Sequence, residues 1–425
     1  MSSFAIVTLG CKVNNYESAS YREGLLAAGF SEKTFSEVAD IYIINTCALT
    51  KMAAFKSKQM IHRARRNNPQ AFICAVSCLV ECYRKELEEL EVDLLLGNSG
   101  KQNLVELIVA NYQKDGPVLI PEVETALQFE ELPVTVYNQT RAFLKIQDGC
   151  EQNCSYCIIP QARGKERSLA VDKVIKAAEI LSRSHKEIVL TGIHTGRYGK
   201  DSGCSLTALV KELLKLPLLE RLRLSSIEIT EIDDELLQVM HDDRKLARHL
   251  HIPLQSGSNE ILQAMKRPYS REEYLKRIKE IRKKVPRIGI TADIIAGFPG
   301  ESESIWEEGK AFIASCDFSF LHVFPYSARI NTKAATLSDE VDGNTKRKRV
   351  RELLEYSQRQ FSDFQKVFID KEVSVLVERF KDGLSFGRCS EYLPVYINGE
   401  HPRNTLVRAW GVKQGENGLK AEVRK

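Results

Sequence analysis

The chain of 425 residues has no apolar run approaching the roughly 18 residues that a membrane-spanning helix needs, so no membrane partner is expected. Its opening MSSFAIVTLG lacks the basic start and small-residue cleavage site of a secretory signal, which makes the cytoplasm the expected location. Low-complexity tracts are missing, and so is any internal repeat beyond a βα period. Histidine is scarce, eight in all, and none is close in sequence to the densest group of cysteines. Cysteine is plentiful. The eleven cysteines of a cytosolic protein point away from a disulfide framework and toward metal binding or catalysis.

A hydrophobic share of 43% with 28% charged residues is the ordinary globular range, and the length predicts two or three domains. The net charge of +4 is modest but uneven. Six Lys or Arg and no acid lie between Lys51 and Arg66, and KRKRVR spans 346–351. Either run alone suits a solvated helix face. Together with a basic end they favour a polyanionic partner.

Along residues 1–135, the apolar runs FAIVTLG, IYIINT, AFICAVS and VDLLLGN alternate with polar stretches of helical spacing, which predicts an open parallel α/β sheet. Cys11, Cys47 and Cys78 fall at or just after the carboxyl ends of the first three of these strands, where open parallel sheets gather ligands. After a turn-prone stretch near 121–140, RAFLKIQDG, EIVLTG, RLRLSS, HLHIPLQ, IGITADIIAGFPG and SFLHVFPYS give six further strands with helical patterns between them. Right-handed crossovers should roll these, within 136–365, into a partial (βα)6 barrel whose active face is the carboxyl end. A helix over about 344–366 leads into KEVSVLVERF, LSFGRCS, LPVYING, NTLVRAWGV and LKAEVRK, the pattern of a small antiparallel barrel over 366–425.

The strongest chemical signal is Cys150-x-x-x-Cys154-x-x-Cys157, directly after the first barrel strand. Three thiolates on one tight loop can hold three irons of a cubane cluster and leave the fourth open to a substrate or cofactor. Zinc is the alternative, but a structural zinc site wants four closed ligands.

With CEQNCSYC opening a βα barrel and TLGCKVNNYES and IINTCALT upstream, the chain resembles the radical S-adenosylmethionine (SAM) methylthiotransferases over nearly its whole length. The resemblance implies two 4Fe-4S clusters. One, on Cys150, Cys154 and Cys157, would bind SAM at its open iron. An electron from a reducing partner such as flavodoxin or ferredoxin would then cleave SAM to a 5′-deoxyadenosyl radical. The other, on Cys11, Cys47 and Cys78, would serve sulfur delivery: one SAM methylates a sulfur species there and a second supplies the radical. Cys78 lies in VSCLVEC, where the family usually has Gly before the cysteine, so Cys74 and Cys82 stand as alternatives. The source of the sulfur is left open.

By the same resemblance, Tyr156 would lie by the adenine and Gly192 would let the SAM amino-acid moiety approach. Ser226, Glu228, Gln255, Ser256, Asp293 and Gly297 are candidate polar or backbone contacts, each also readable as an ordinary turn or strand-end residue. Arg163 and Arg167 could meet phosphate or the SAM carboxylate, or lie at the surface. Cys204, Cys316 and Cys389 read as structural. The final segment resembles a TRAM RNA-binding domain, with Phe386, Tyr392, Tyr396 and Trp410 as aromatics that could stack on bases. TLGCKVNNYES, NTCALTKMAAFKSKQMIHRARRNNP and VFPYSARINTKAA resemble the group acting on N6-threonylcarbamoyladenosine next to the anticodon, with Asn331 where Gly is usual. The expected partner is the tRNA anticodon stem-loop and the expected reaction turns C2–H into C2–S–CH3. The rival substrates are isopentenyladenosine in tRNA and a ribosomal-protein aspartate. A rival of another class is a non-catalytic, zinc-bearing RNA-binding protein.

Overall fold

The computed structural model describes residues 2–113, the strand Val118–Leu119 and 128–424. The first part of the turn-prone stretch at 121–140 lies outside these residues. From the N-terminus, β1 (Ser3–Thr8), β2 (Ser31–Glu32), β3 (Ile41–Thr46), β4 (Phe72–Ser77), β5 (Leu94–Leu96) and β6 (Val118–Leu119) form one parallel sheet in the order β2-β1-β3-β4-β5-β6. Burial on both faces explains the unbroken apolar runs of β3 and β4, every residue of which is buried. The two-residue edge strands β2 and β6 carry no such signal.

Six parallel strands follow, as the βα rhythm predicts: β7 (Arg141–Lys145), β10 (Glu187–Thr191), β11 (Arg221–Leu224), β12 (His249–His251), β13 (Gly289–Ala296) and β14 (Phe320–Pro325). A short pair, β8 (Gln147–Asp148) with β9 (Arg167–Ser168), frames the loop after β7. Parallel bridges from Leu222 to Leu246 and from Ser226 to His251 join the two three-stranded halves into one partial barrel. The helices around it start where their caps say they should. Ser270 and Glu273 form a capping box on Arg271–Lys284, and the side chain of Ser302 accepts from Ile305 N at the head of Glu303–Ser315.

Helix Gly343–Lys366, capped by the Asp342 side chain, packs on β14 and leads to β15 (Glu372–Lys381), β16 (Leu384–Cys389), β17 (Pro394–Asn398), β18 (Leu406–Lys413) and β19 (Leu419–Glu422). These close into a barrel in the order β15-β16-β17-β19-β18. The expected antiparallel pattern holds except at β17 and β19, which pair in parallel. An odd number of strands cannot close with every neighbour antiparallel, so one such pair is required.

The three units are held by buried polar contacts as well as by apolar surface. Helix Lys12–Ala27 of the first sheet packs along β7, and its Glu17, fully buried, takes Lys101 at 2.6 Å, Arg163 at 2.7 Å and Lys145 at 3.1 Å. At the base of the barrel, Arg221 donates to Ser374 O at 2.7 Å and Arg223 to Ser390 O at 2.9 Å, tying the terminal barrel down. The second basic run is partly consumed in this way: Arg349 pairs with Glu301 at 2.9 Å and Lys346 with Glu340 at 3.0 Å. Both runs keep exposed cations: Lys51, Lys56, Arg63 and Arg66 on helix Lys51–Asn67, and Arg347, Lys348 and Arg351 on helix Gly343–Lys366.

Candidate metal centres

The loop from β8 to helix Ile159–Arg163 carries Cys150, Cys154 and Cys157. Gly149 adopts φ +74°, and a Cβ there would meet Lys165 O at 1.9 Å, so the turn that starts the loop requires glycine. Cys150 N donates to Gly164 O at 3.0 Å and Cys157 N to Cys154 O at 3.1 Å, which folds the loop back on itself. The three sulfurs act on one another electrostatically, and burial pushes the Cys157 thiol up to about 12. Two cations from distant segments attend them. Arg267 donates to Cys154 Sγ at 3.2 Å while ion-paired with Glu228, and the His194 ring lies 3.4 Å from Cys150 Sγ. Against the cost of burial, Cys150 and Glu231 raise His194 to about 10, so its ring serves as a donor to sulfur.

His194 corrects the expectation that no histidine stands near this loop. Cys150, Glu166 and His194 offer donor atoms all within 4.8 Å of one another, brought together from three segments. The two cationic donors beside Cys150 and Cys154 suit sulfur ligands of a cluster, whose charge such hydrogen bonds stabilise.

The second group forms at the carboxyl edge of the N-terminal sheet. Cys11, Cys47 and Cys78 follow β1, β3 and β4, each within electrostatic reach of the other two. Gly10, at φ +98°, presses on Cys47: a Cβ there would come within 2.9 Å of its sulfur. Burial pushes Cys47 up to about 12, with Cys78 adding and Arg163 opposing. Cys78 is served by three donors, Arg163 Nε at 3.3 Å, Ser77 Oγ at 3.6 Å and Asn98 Nδ2 at 3.7 Å. Cys74 lies inside β4 in the core on the opposite sheet face, away from this edge. Cys82, half-buried one turn past Cys78, is within reach of Cys78 and Cys47. Three soft donors at one open edge fit a cluster with a free iron as well as the first triad does.

Arg163 joins the two groups. Fully buried at the end of the helix after Cys157, it holds Cys78, Glu17, Asn14 (2.6 Å) and, more loosely, Asp148 (3.4 Å). Arg167 is buried as well, donating to Arg163 O at 2.8 Å. Both side chains are committed inside the protein, which overturns the surface or phosphate-binding reading.

The other predicted residues spread along the barrel rim. Tyr156 is within 3.5 Å of Arg267, and Gly192 lies against Gln147, where a Cβ would approach to 3.0 Å. Ser226 is exposed, Ser256 is buried, and Gln255 holds φ +71° beside Ile294 of β13. Asp293 faces the barrel interior and lies 3.2 Å from His251. Two members have protein partners that account for them: Glu228 is engaged by Arg267, and Gly297 (φ +76°) backs onto Lys346, where a Cβ would come within 2.4 Å. Asn331 takes φ +58°, a left-handed conformation that Asn tolerates, so the loop keeps its form without Gly.

Residues 144–312 match the model of the radical SAM superfamily, and residues 3–97 that of the uncharacterized protein family UPF0004. A threonylcarbamoyladenosine tRNA methylthiotransferase of Bacillus subtilis is 38% identical, covering 94% of this chain and 91% of its own length. The chain belongs to the radical SAM methylthiotransferases. An enzyme of the same name from Thermotoga maritima is 34% identical over 96% of this methylthiotransferase and 93% of its own chain. The tRNA-2-methylthio-N(6)-dimethylallyladenosine synthase of Acetivibrio thermocellus is 31% identical, over 88% and 80%. Among solved structures, the radical SAM methyltransferase TsrM of Kitasatospora setae, with cobalamin and a 4Fe-4S cluster bound, shares the fold. Its TM-score is 0.57 at 15% identity, covering 79% of this chain and 77% of that one.

On the terminal barrel of the methylthiotransferase, Arg379, Phe386, Tyr396 and Lys420 lie side by side across four adjacent strands. The two rings are 5.1 Å apart, and the cations lie 4.7 Å from Phe386 and from Tyr396. Trp410 is half-buried beside Arg424. Tyr392 is not part of this face. It plugs the base of the large barrel, half-buried and stacked on His249 at 4.7 Å. No helix among the described residues is long and apolar enough to cross a membrane.

Proposed function

We propose that this methylthiotransferase acts on N6-threonylcarbamoyladenosine next to the anticodon of tRNA, replacing the C2 hydrogen with a methylthio group. Two 4Fe-4S clusters would be held by Cys150, Cys154 and Cys157 and by Cys11, Cys47 and Cys78, and two SAM would be consumed per turnover. The observation that carries the reading is the gathering of the second triad at one sheet edge, linked to the first by Arg163. The names of the relatives at 34–38% identity support the substrate. When bound, the clusters and SAM supply the radical that removes a non-acidic aromatic hydrogen and the sulfur and methyl that replace it.

The chain's own residues do the rest. Arg267 and His194 place positive charge at Cys154 and Cys150, Arg163 does so at Cys78, and the rim from Gly192 to Gly297 shapes the SAM pocket. Residues 1–135, 136–365 and 366–425 serve as the auxiliary-cluster domain, the radical SAM barrel and a TRAM domain for the anticodon stem-loop. The site of action is the cytoplasm, with flavodoxin or ferredoxin as electron donor.

The test is mass spectrometry of tRNA nucleosides from a strain lacking the gene, complemented with wild type, Cys150→Ala or Cys47→Ala. Loss of 2-methylthio-threonylcarbamoyladenosine, restored by wild type alone, is expected. An unchanged level would reject the substrate, and zinc without inorganic sulfide in the purified protein would reject the clusters.

A further inference from the structure

Helix Lys51–Asn67 presents a face that its own packing does not explain. Its buried side consists of Ser57, Ile61 and Ala64. At about 100° per residue, Met52, Phe55, Lys56, Gln59, Arg63 and Arg66 fall within an arc about 100° wide on the other side, and all six are exposed. Met52 and Phe55, neighbours one turn apart, are 60% and 57% exposed. Adjacent large apolar side chains rimmed by polar ones mark an interaction site, where a single one would not.

The charge on this face is of one sign. No acid lies between Lys51 and Arg66. The acids ion-paired with the helix, Glu86, Glu91 and Asp93, are taken by Lys58 and Arg65 on its flank. Lys56, Arg63 and Arg66 have no acidic partner among the described residues. Helix Gly343–Lys366 differs, for its exposed Lys348 lies 3.5 Å from Glu303 and 3.8 Å from Glu352. Lys51 stands in the first turn, where the helix dipole disfavours a cation, and that turn contains no acid. Helix stability therefore does not account for the charge, whereas an anionic partner does.

The face also has an order. Lys51 N donates to Ser327 Oγ at 3.1 Å, just past the carboxyl end of β14, so the apolar end of the face begins at the mouth of the barrel. The cations from Lys56 to Arg66 follow over about 15 Å of helix.

We propose that this face binds the RNA stem-loop that carries the substrate base, with Met52 and Phe55 against an unpaired loop base and Lys56, Arg63 and Arg66 on the phosphates of the stem. The inference rests on the tRNA substrate assigned under Proposed function. An anticodon stem-loop has the matching order: unpaired bases at its tip, on which aromatic side chains stack, and behind them a duplex recognised through its backbone. Cations spaced along a helix with no acid between them suit a continuous polyanion. The surface belongs to the N-terminal domain and is separate from the aromatic face of the terminal barrel, so the RNA is held at two places. The contact at the helix keeps the loop at the barrel mouth.

The experiment uses the anaerobically reconstituted holoenzyme without reductant or SAM and reads fluorescence anisotropy over a series of salt concentrations. Two RNAs are compared, the anticodon stem-loop and a hairpin with the same stem closed by a short, stable loop. Lys56→Gln, Arg63→Gln and Arg66→Gln combined should weaken both RNAs alike and reduce the slope of log affinity against log salt by about 2 to 3. Phe55→Ala should weaken the anticodon stem-loop by about 5- to 150-fold, the scale of one stacked base, and leave the hairpin unchanged. All four side chains are exposed, so thermal melting and iron and sulfide content should match wild type. An unchanged affinity and salt slope in the charge variant would overturn the proposal, as would equal weakening of both RNAs by Phe55→Ala. Loss of SAM cleavage driven by flavodoxin but not by dithionite, with RNA binding unchanged, would overturn it and give the face to an acidic electron donor. A wild type that binds neither RNA would reject the tRNA substrate itself, and the proposal with it.

Discussion

The two cysteine triads solve one chemical problem in opposite ways. Cys150, Cys154 and Cys157 lie within eight residues of a single loop, and the backbone of that loop decides their spacing. Cys11, Cys47 and Cys78 come from three loops, and the parallel register of β1, β3 and β4 brings them together. A local triad depends on a few dihedral angles, such as the positive φ of Gly149. A distributed one depends on the packing of a whole domain. The difference teaches that the first site should withstand damage to the N-terminal sheet, and the second should feel it at once.

The largest expected effect separates the triads functionally. Cys150→Ala should abolish formation of 5′-deoxyadenosine by the reduced enzyme, whereas Cys47→Ala should keep it and lose only the methylthio product. Each variant should lose about four of about eight irons after reconstitution. Equal loss of SAM cleavage in both would break the comparison.

Next comes the link between them. Arg163→Met removes one of the two cations that Glu17 and Asp148 share, Lys145 being the other, and leaves both carboxylates buried, which should cost about 3–5 kcal/mol of stability in urea unfolding of the metal-free protein. A change under about 1 kcal/mol would mean that Lys101 and Lys145 suffice for Glu17.

A smaller effect falls on the local triad alone. Arg267→Met deletes the donor to Cys154 Sγ and should move the reduction potential of that cluster to more negative values in an EPR-monitored titration, with the other cluster unmoved. Parallel shifts in both clusters would show that the sites are not electrostatically separate. The smallest effect sharpens the ligand set: Cys74→Ala should leave iron and sulfide content unchanged and lower stability by about 1 kcal/mol, the scale of a small buried deletion. Loss of iron would return Cys74 to the ligand set.

How much of this was legible before the structure differs from element to element. The strands of both large domains could be read because apolar runs and helical spacing are local properties of the chain. The edge strands β2 and β6 could not, since two residues have no period. Tyr392 could be read only as one of four aromatics that either stack on bases or lie in the core, because a tyrosine near a turn gives no sign of whether its ring faces solvent or another domain; its place in the barrel base depends on how the terminal barrel docks. The buried pairing of Arg349 in the second basic run was hidden for the same reason, its partner Glu301 lying on another segment.

The sequence by itself determined the local chemistry: three cysteines spaced for one loop, a glycine where the turn has positive φ, strand and helix periods, and cysteines at strand ends. Turn geometry and side-chain periodicity are set by neighbours along the chain, so they survive in the one-dimensional record. Only the tertiary structure decided which cations meet which sulfurs. Arg163 reaches Cys78 across 85 positions, Arg267 reaches Cys154 across 113, and His194 reaches Cys150 across 44. Such meetings are fixed by how sheets and helices pack and by the need to pair every buried charge, conditions that hold in space and leave no spacing in the sequence.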